Sequence, residues 1–196
     1  MDKDKIRDLV KYAKSGDDEA FTELVNIYSD RIYNLALRIL HRNDDAADVV
    51  QETFVKVYEK IKTFDGRADF FTWLYRIATN ESLMKLRKDK RMVLSNEVIE
   101  TYYDRPNSVE IQEWQSFPLN NMLTREFRAH LDRAVESLPE IYRSVFVLRD
   151  LENMSTRETS KILGITETNV KVRLKRARMF LREKLAEYMH ELTGAE

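Results

Sequence analysis

Ser155-Thr156-Arg157-Glu158-Thr159-Ser160-Lys161-Ile162-Leu163-Gly164-Ile165-Thr166-Glu167-Thr168-Asn169-Val170-Lys171-Val172-Arg173-Leu174-Lys175-Arg176-Ala177 holds two helix starts and one helix stop within a single short stretch. Ser155 and Glu158 have the spacing of a capping box, in which hydroxyl and carboxylate satisfy each other's backbone donors. Gly164 suits the left-handed residue that ends the first helix, and Thr166 can cap the second. Val170, Leu174, Ala177, Leu181 and Leu185 recur at helical spacing. That spacing predicts that they pack inward and turns Thr168, Lys171, Val172 and Lys175 outward together, with Arg173, Arg176 and Arg178 flanking this face. A short helix, a tight turn and a long basic helix make a helix-turn-helix, whose first helix braces a second that enters the major groove.

Between 166 and 184 the basic residues are Lys171, Arg173, Lys175, Arg176, Arg178, Arg182 and Lys184, against the acidic Glu167 and Glu183. Lysine and arginine on such a helix meet phosphates or guanine edges, and Thr168 and Asn169 near its start suit polar contacts to bases or backbone. A solvated basic surface is the plain alternative for any basic helix; the capped brace and the turn in front of this one favour DNA. Ser160, a small residue in the middle of the brace, reads as a packing position.

Working towards the N-terminus, Ser137-Leu138-Pro139-Glu140 has the spacing of another capping box. Before it, from about Arg91 to Leu123, helical periodicity fails. Glu97, Glu100, Asp104, Glu110 and Glu113 outnumber the basic residues there, and Pro106 and Pro118 interrupt any helix. The segment is too long for a loop inside one compact domain and reads as an acidic linker. Upstream of it four amphipathic helices are expected. Ile6, Leu9, Val10 and Ala13 mark one that stops at Gly16. Asp17 caps a second that carries Phe21, Leu24, Val25, Tyr28 and Ile32 to about Leu40. Asn43 or Asp44 caps a third with Val49, Val50, Phe54, Val57 and Ile61, and a fourth runs from about Asp69 to Arg87. With only four glycines, three prolines and no alternating apolar window, the fold class is all-α. The predicted architecture is two small helical domains, 1–90 and 124–196, joined by an extended linker over 91–123.

In the first domain Phe64, Phe70, Phe71, Trp73 and Tyr75 crowd the loop Thr63-Phe64-Asp65-Gly66-Arg67-Ala68, and Lys85, Arg87, Lys88, Lys90 and Arg91 follow. Rings beside cations are what single-stranded nucleic acid needs, because bases stack while the backbone pairs with charge. An aromatic cluster at helical spacing is also what a core looks like, and Phe70, Trp73, Leu74 and Ile77 are expected there. Phe64, on the loop, is the stacking candidate.

Composition bounds the rest. Lys and Arg number 33 against 34 Asp and Glu, so the net charge of -1 carries no information about nucleic acid and only local clusters do. The absence of cysteine excludes disulfides, thiolate metal sites and cysteine nucleophiles. His41, His130 and His190 are too scattered to suggest a metal site. The charged start leads into no signal-peptide core, and no run approaches the ~20 apolar residues of a membrane span, so a cytoplasmic location is expected. No nucleophile elbow, phosphate loop or metal-ligand pair is present, so neither an enzymatic activity nor a cofactor is predicted.

The string Phe71-Thr72-Trp73-Leu74-Tyr75-Arg76-Ile77-Ala78-Thr79-Asn80, preceded by Asp48-Val49-Val50-Gln51-Glu52-Thr53-Phe54, resembles the sigma factors of the extracytoplasmic-function (ECF) group. The resemblance continues through Glu136-Ser137-Leu138-Pro139-Glu140 and Leu148-Arg149-Asp150-Leu151-Glu152-Asn153-Met154-Ser155 into the helix-turn-helix, and so covers nearly everything outside the linker. It implies sigma regions two and four on a connector that threads the polymerase cleft. It further implies that Asp45, Asp48, Val49, Gln51, Glu52 and Phe54 grip the clamp helices of the RNA polymerase largest subunit; the alternative for Val49 and Phe54 is simply core. Phe64, Asp65, Gly66, Arg67 and Ala68, with Ile77 and Asn80, would capture a base flipped from the −10 element, at an unstacking cost of a few kcal/mol. Arg149, Ser155, Thr156, Thr168, Asn169, Lys171, Val172, Lys175 and Arg176 would meet the −35 duplex. The implied partners are core polymerase, promoter DNA and an anti-sigma factor. Three positions depart from the family pattern: Met84 stands where an acidic residue is common, Thr159 where an aliphatic one is usual, and Lys171 where arginine is common. Lysine is a point charge without the bidentate fork, which puts base choice at Lys171 in question. The rival readings are a conventional helix-turn-helix repressor or activator, which would dimerise on a two-fold site, and a protein-docking adaptor with a decorative basic helix.

Overall fold

Every regular element among the described residues is helical in the computed structural model, which describes Lys3–Lys88 and Arg125–Thr193. The chain divides into two compact units with its break between Leu86 and Arg87; the short stretch Ser160–Gly164 groups with the first. The linker expected over 91–123 lies outside the described residues, as do Lys90 and Arg91.

The first unit is built on α1 (Lys3–Lys14), α2 (Asp18–Leu40), α3 (Asn43–Lys60), a 3-10 turn (Ile61–Thr63) and α4 (Phe70–Lys88). Ile6, Leu9, Val10 and Ala13 are all buried and set α1 against α2. Gly16 breaks α1 at φ +94°, a conformation glycine adopts without a Cβ penalty. Asp17 then opens α2, its Oδ1 accepting from the Ala20 N–H at 3.0 Å. Along α2, Leu24, Tyr28, Ile32, Leu35, Ala36 and Ile39 are buried, and α3 packs on the same helix. Neither Asn43 nor Asp44 caps α3. Arg42 takes the N-cap position with no side-chain bond, and Asn43 is already helical, its Oδ1 accepting from the Tyr33 hydroxyl at 3.3 Å. Polar links join α3 to α4: Lys56 Nζ lies 2.5 Å from Oε2 of the buried Glu81.

The second unit contains α5 (Arg125–Ser137), α6 (Glu140–Phe146), a π-helical turn (Val147–Leu151) and α8 (Glu167–Thr193); α7 (Thr156–Leu163) begins in it, its last residues belonging to the stretch grouped with the first. α8 packs against α5 and α6. The expected capping box at Ser137 does not form. Pro139 occupies the N-cap of α6 with no side-chain bond, and Ser137 closes α5 with its hydroxyl donating back to the Ala134 carbonyl at 2.7 Å. Proline pre-sets the backbone for helix entry, so the serine hydroxyl is left to its own helix.

The carbonyls at the end of α5 are served by Arg143. Its side chain is 2% exposed. Nε and Nη2 donate to the Leu138 carbonyl at 3.2 and 3.0 Å, and Nη2 also donates to the Glu136 carbonyl. These carbonyls stand at the end of α5, where the helix leaves acceptors without intrahelical donors and where a cation is favoured. Burial lowers the Arg143 pKa to about 10, opposed by the nearby Glu136 and Glu140 carboxylates. The folded value lies below the unfolded one yet far above neutral, so the guanidinium stays charged at neutral pH. Its desolvation cost is the same at every pH below about 10.

Two stability effects follow. Arg143→Ala orphans two carbonyls and opens a cavity, and is expected to lower the urea-unfolding stability of the second unit by about 3 kcal/mol or more. Gly164 sits at φ +66°, and a Cβ there would meet nothing within 4 Å. Gly164→Ala therefore carries only the backbone penalty, about 1 kcal/mol in the same measurement, with Gly164→Asn milder.

Candidate nucleic-acid interface

The helix-turn-helix forms with the local chemistry its sequence prescribes. The Ser155 N–H donates to Glu158 Oε2 at 2.8 Å and the Glu158 N–H donates to Ser155 Oγ at 3.1 Å, closing the capping box of α7. Gly164 is left-handed, and Thr166 Oγ1 accepts from the Asn169 N–H at 3.1 Å to start α8. Val170, Leu174, Ala177, Leu181 and Leu185 are all buried. Thr168, Asn169, Lys171, Val172 and Lys175 are all exposed. One helix therefore divides into a packed stripe and a polar, basic face.

The arginines beside that face are partly committed within the protein. Arg178 makes a two-pronged ion pair with Asp150, Nε to Oδ2 at 2.8 Å and Nη2 to Oδ1 at 2.7 Å, tying α8 to the π-helical turn. Arg176 is half-buried, with Nη1 donating to the buried Tyr142 hydroxyl at 3.3 Å. Arg149 is half-buried too and donates to the Met154 carbonyl, bracing the turn that leads into α7. Ser155 is exposed and Thr156 half-buried at the start of that helix. Thr159, in the middle of it, is fully buried with its hydroxyl unpartnered.

In the first unit the loop after the 3-10 turn projects Asp65, Gly66 and Arg67 into solvent, while Ala68 is half-buried. Gly66 turns at φ +74°, and Asp65 holds the local shape by accepting from the Arg67 N–H at 3.0 Å. Asp69 ends the loop, its Oδ1 accepting from the Thr72 N–H at 2.8 Å to start α4. Phe64 does not stand free. Its half-buried ring lies 5.0 Å from Trp73 and 6.0 Å, edge-on, from Phe70. Phe70 and Leu74 are core, as expected; Trp73 and Ile77 are only half-buried. Ile77, exposed Asn80 and exposed Met84 follow one another at helical spacing on the outer side of α4. Asn80 lies about 15 Å along the helix axis from Phe70. Lys85 is not free for phosphate, because it bridges to Asp48 at 2.7 Å and Asp45 at 3.4 Å. The Asp48 hydrogen bond holds its ammonium above the usual lysine range.

The outer face of α3 corrects one expectation. Val49 is fully buried and Phe54 is 7% exposed; both side chains point into the unit's own core and are not on the surface offered to a partner. Gln51, Glu52 and Asp48 are exposed, and Asp45 is half-buried between Arg42 and Lys85. Two residues missing from the expected set join them: Val55 and Tyr58 are more than half exposed. They follow Gln51 and Glu52 at helical spacing, a signal present in the sequence. Tyr58 donates to Asp18 Oδ1 at 3.2 Å and meets Phe21 edge-on at 5.0 Å. Among the described residues no group of side chains is placed to hold a metal ion, and no helix is long and apolar enough to cross a membrane.

A Sigma-70 region 2 family model matches residues 24–92, and a Sigma-70, region 4 model matches residues 128–181. The ECF RNA polymerase sigma factor SigW of Bacillus subtilis (strain 168) is 36% identical over 181 residues, covering 92% of this chain and 96% of its own. The ECF RNA polymerase sigma-E factor of Escherichia coli (strain K12) is 35% identical over 177 residues, covering 90% and 92%. Among solved structures, CnrH in complex with the cytosolic domain of CnrY is similar at a TM-score of 0.67 and 26% identity, covering 95% of this chain and 99% of that one. The sigma factor RpoE in complex with the anti-sigma factor NepR from Bartonella quintana is similar at 0.60 and 25%, covering 85% and 96%. With both sigma regions matched in order, and with relatives similar across nearly their whole length, the chain belongs to the ECF group of RNA polymerase sigma factors.

Proposed function

We propose that this protein acts without chemistry of its own, as the subunit that gives core RNA polymerase its promoter specificity inside the cell. The observation that carries the reading is the division of α8, whose stripe from Val170 to Leu185 is buried while Lys171, Val172 and Lys175 stand exposed. A helix so divided can enter a major groove without disturbing its own unit. The residues from Thr166 to Lys175 and the capped start of α7 would meet the −35 duplex, with Arg176 and Arg149 nearer the packing. The loop 64–68, with Ile77 and Asn80, would take the melted −10 strand. Asp48, Gln51, Glu52, Val55 and Tyr58 on α3 offer core polymerase an acidic and apolar surface.

The functional domains are assigned to 1–90 and 124–196, on a connector over 91–123. A conventional repressor would share the helix-turn-helix but has no use for the first unit, where a Sigma-70 region 2 model matches residues 24–92. Of the two similar structures, CnrH was solved with the cytosolic domain of CnrY and the sigma factor RpoE with the anti-sigma factor NepR. An inhibitor of that class is proposed for this chain.

Run-off transcription with core polymerase on a promoter library tests the reading and reads its specificity together. Discrete starts from a subset of promoters are expected; failure to co-purify with core polymerase or to redirect it refutes the proposal. Lys171→Glu with Lys175→Glu is expected to reduce affinity for the selected −35 duplex while leaving core binding intact. If both lysines meet phosphate, the slope of log K against log salt falls by about 2 in magnitude.

A further inference from the structure

Lys14, the last residue of α1, reaches across 50 residues of sequence and donates through Nζ to the Phe64 carbonyl at 2.5 Å. A lysine at a helix C-terminus ordinarily serves the last carbonyls of its own helix. Here three of them are already taken. Lys11 and Tyr12 carbonyls accept from the Ser15 N–H at 3.3 and 2.9 Å, and Ala13 accepts from the Gly16 N–H at 3.1 Å. The Tyr12 carbonyl also accepts from the Ser15 hydroxyl at 2.7 Å. The ammonium is thereby left for the loop.

Phe64 is the point at which that loop leaves the packed unit. Its N–H donates to the Ile61 carbonyl at 3.1 Å, closing the 3-10 turn, and its ring lies on Phe70 and Trp73. Beyond it Asp65, Gly66 and Arg67 are exposed, until Asp69 caps α4. The carbonyl bond to Lys14 is thus a tether on the upstream root of the loop, supplied by a helix that lies before the matched region 2 segment at 24–92.

We propose that Lys14 is a positioning residue for capture of the −10 base, fixing the Phe64 carbonyl so that the loop 65–68 stands in one place when the strand arrives. This rests on the function proposed above for that loop. A charge-assisted hydrogen bond to a half-buried carbonyl resists movement better than a neutral one. Holding the loop before binding spares the complex part of the ordering cost.

The test uses the full-length chain and a single-stranded −10 oligonucleotide taken from a promoter active in run-off transcription. Each base is replaced in turn, to measure the ratio between the selected strand and its substituted forms. Lys14→Met keeps the aliphatic stem and removes the donor; Lys14→Gln supplies a second, helix-compatible removal; Lys14→Arg restores a cationic donor. Both removals are expected to lower the affinity for the selected strand roughly tenfold and to compress the ratio. Melting temperature, core binding and salt slope should stay at wild-type values, and arginine should recover most of the loss. Wild-type affinity and ratio in Lys14→Met overturn the proposal. So does a salt slope smaller by about one with the ratio preserved, because Lys14 would then be a phosphate contact. A loss of binding that tracks a fall in melting temperature also overturns it, showing a role in stability alone. If the wild-type chain initiates at no promoter, it is the proposed function that fails, a result distinct from any of these.

Discussion

α8 has to do two things with one circumference. Its stripe of Val170, Leu174, Ala177, Leu181 and Leu185 closes the core of the second unit against α5 and α6. Only the arc of the helix away from that stripe remains for solvent or DNA. Consecutive residues on a helix are 100° apart, so a one-residue slip would carry Lys171 or Lys175 towards the core, where an unpaired ammonium costs several kcal/mol or more. The apolar stripe and the basic face thus enforce the same rotation. The start of the helix is set separately by Gly164 and Thr166, and its middle is tied to the π-helical turn through Arg178 and Asp150.

In the second unit the packed arginines and the lysines on the outward face of α8 play different parts. Arg143, Arg149, Arg176 and Arg178 are all engaged with protein acceptors, whereas the exposed positions of the basic face are lysines. The planar guanidinium fork satisfies two acceptors at once and tolerates burial, while the compact ammonium is the more strongly hydrated of the two. A count of basic residues on α8 therefore overstates what is offered to a phosphate backbone. In the first unit Lys85 makes the same point: it sits in a basic run by sequence but between two aspartates in space.

Legibility followed the range of the interaction. The caps at Asp17, Ser155 and Thr166 and the glycine stop at Gly164 depend on residues within a turn of one another, and all could be read from the sequence. The buried stripes of α1 and α8 were equally plain, since periodicity encodes them. Ser137 misled because the proline two residues on took over the helix start that the serine and Glu140 have the spacing to make. Val49 and Phe54 stay open between interface and core in the sequence because an acidic helix with apolar positions suits both equally well, and only the packing of the first unit decides between them. The burial of Arg143 and the reach of Lys14 to Phe64 join residues through the fold, and no local pattern announces either.

The loop of the first unit shows what such non-local placement does to a functional reading. From the sequence alone, Phe64 offers a free ring on which a base might stack. In the folded unit that ring is already in contact with Trp73 and Phe70, with the rings of Phe71 and Tyr75 tilted together at 4.1 Å on the same helix. An incoming base would have to displace one of these contacts or use what is left open, which is the polar loop 65–67 and the half-buried edges of Phe64, Trp73 and Ile77. Displacement forfeits aromatic contacts worth about 1 kcal/mol each, whereas the open side costs nothing to the unit. The aromatic cluster therefore serves as the floor on which the loop stands, and in the role proposed for the loop recognition would fall to its backbone with Asp65 and Arg67. That division makes the position of the loop root more consequential than the identity of any one ring.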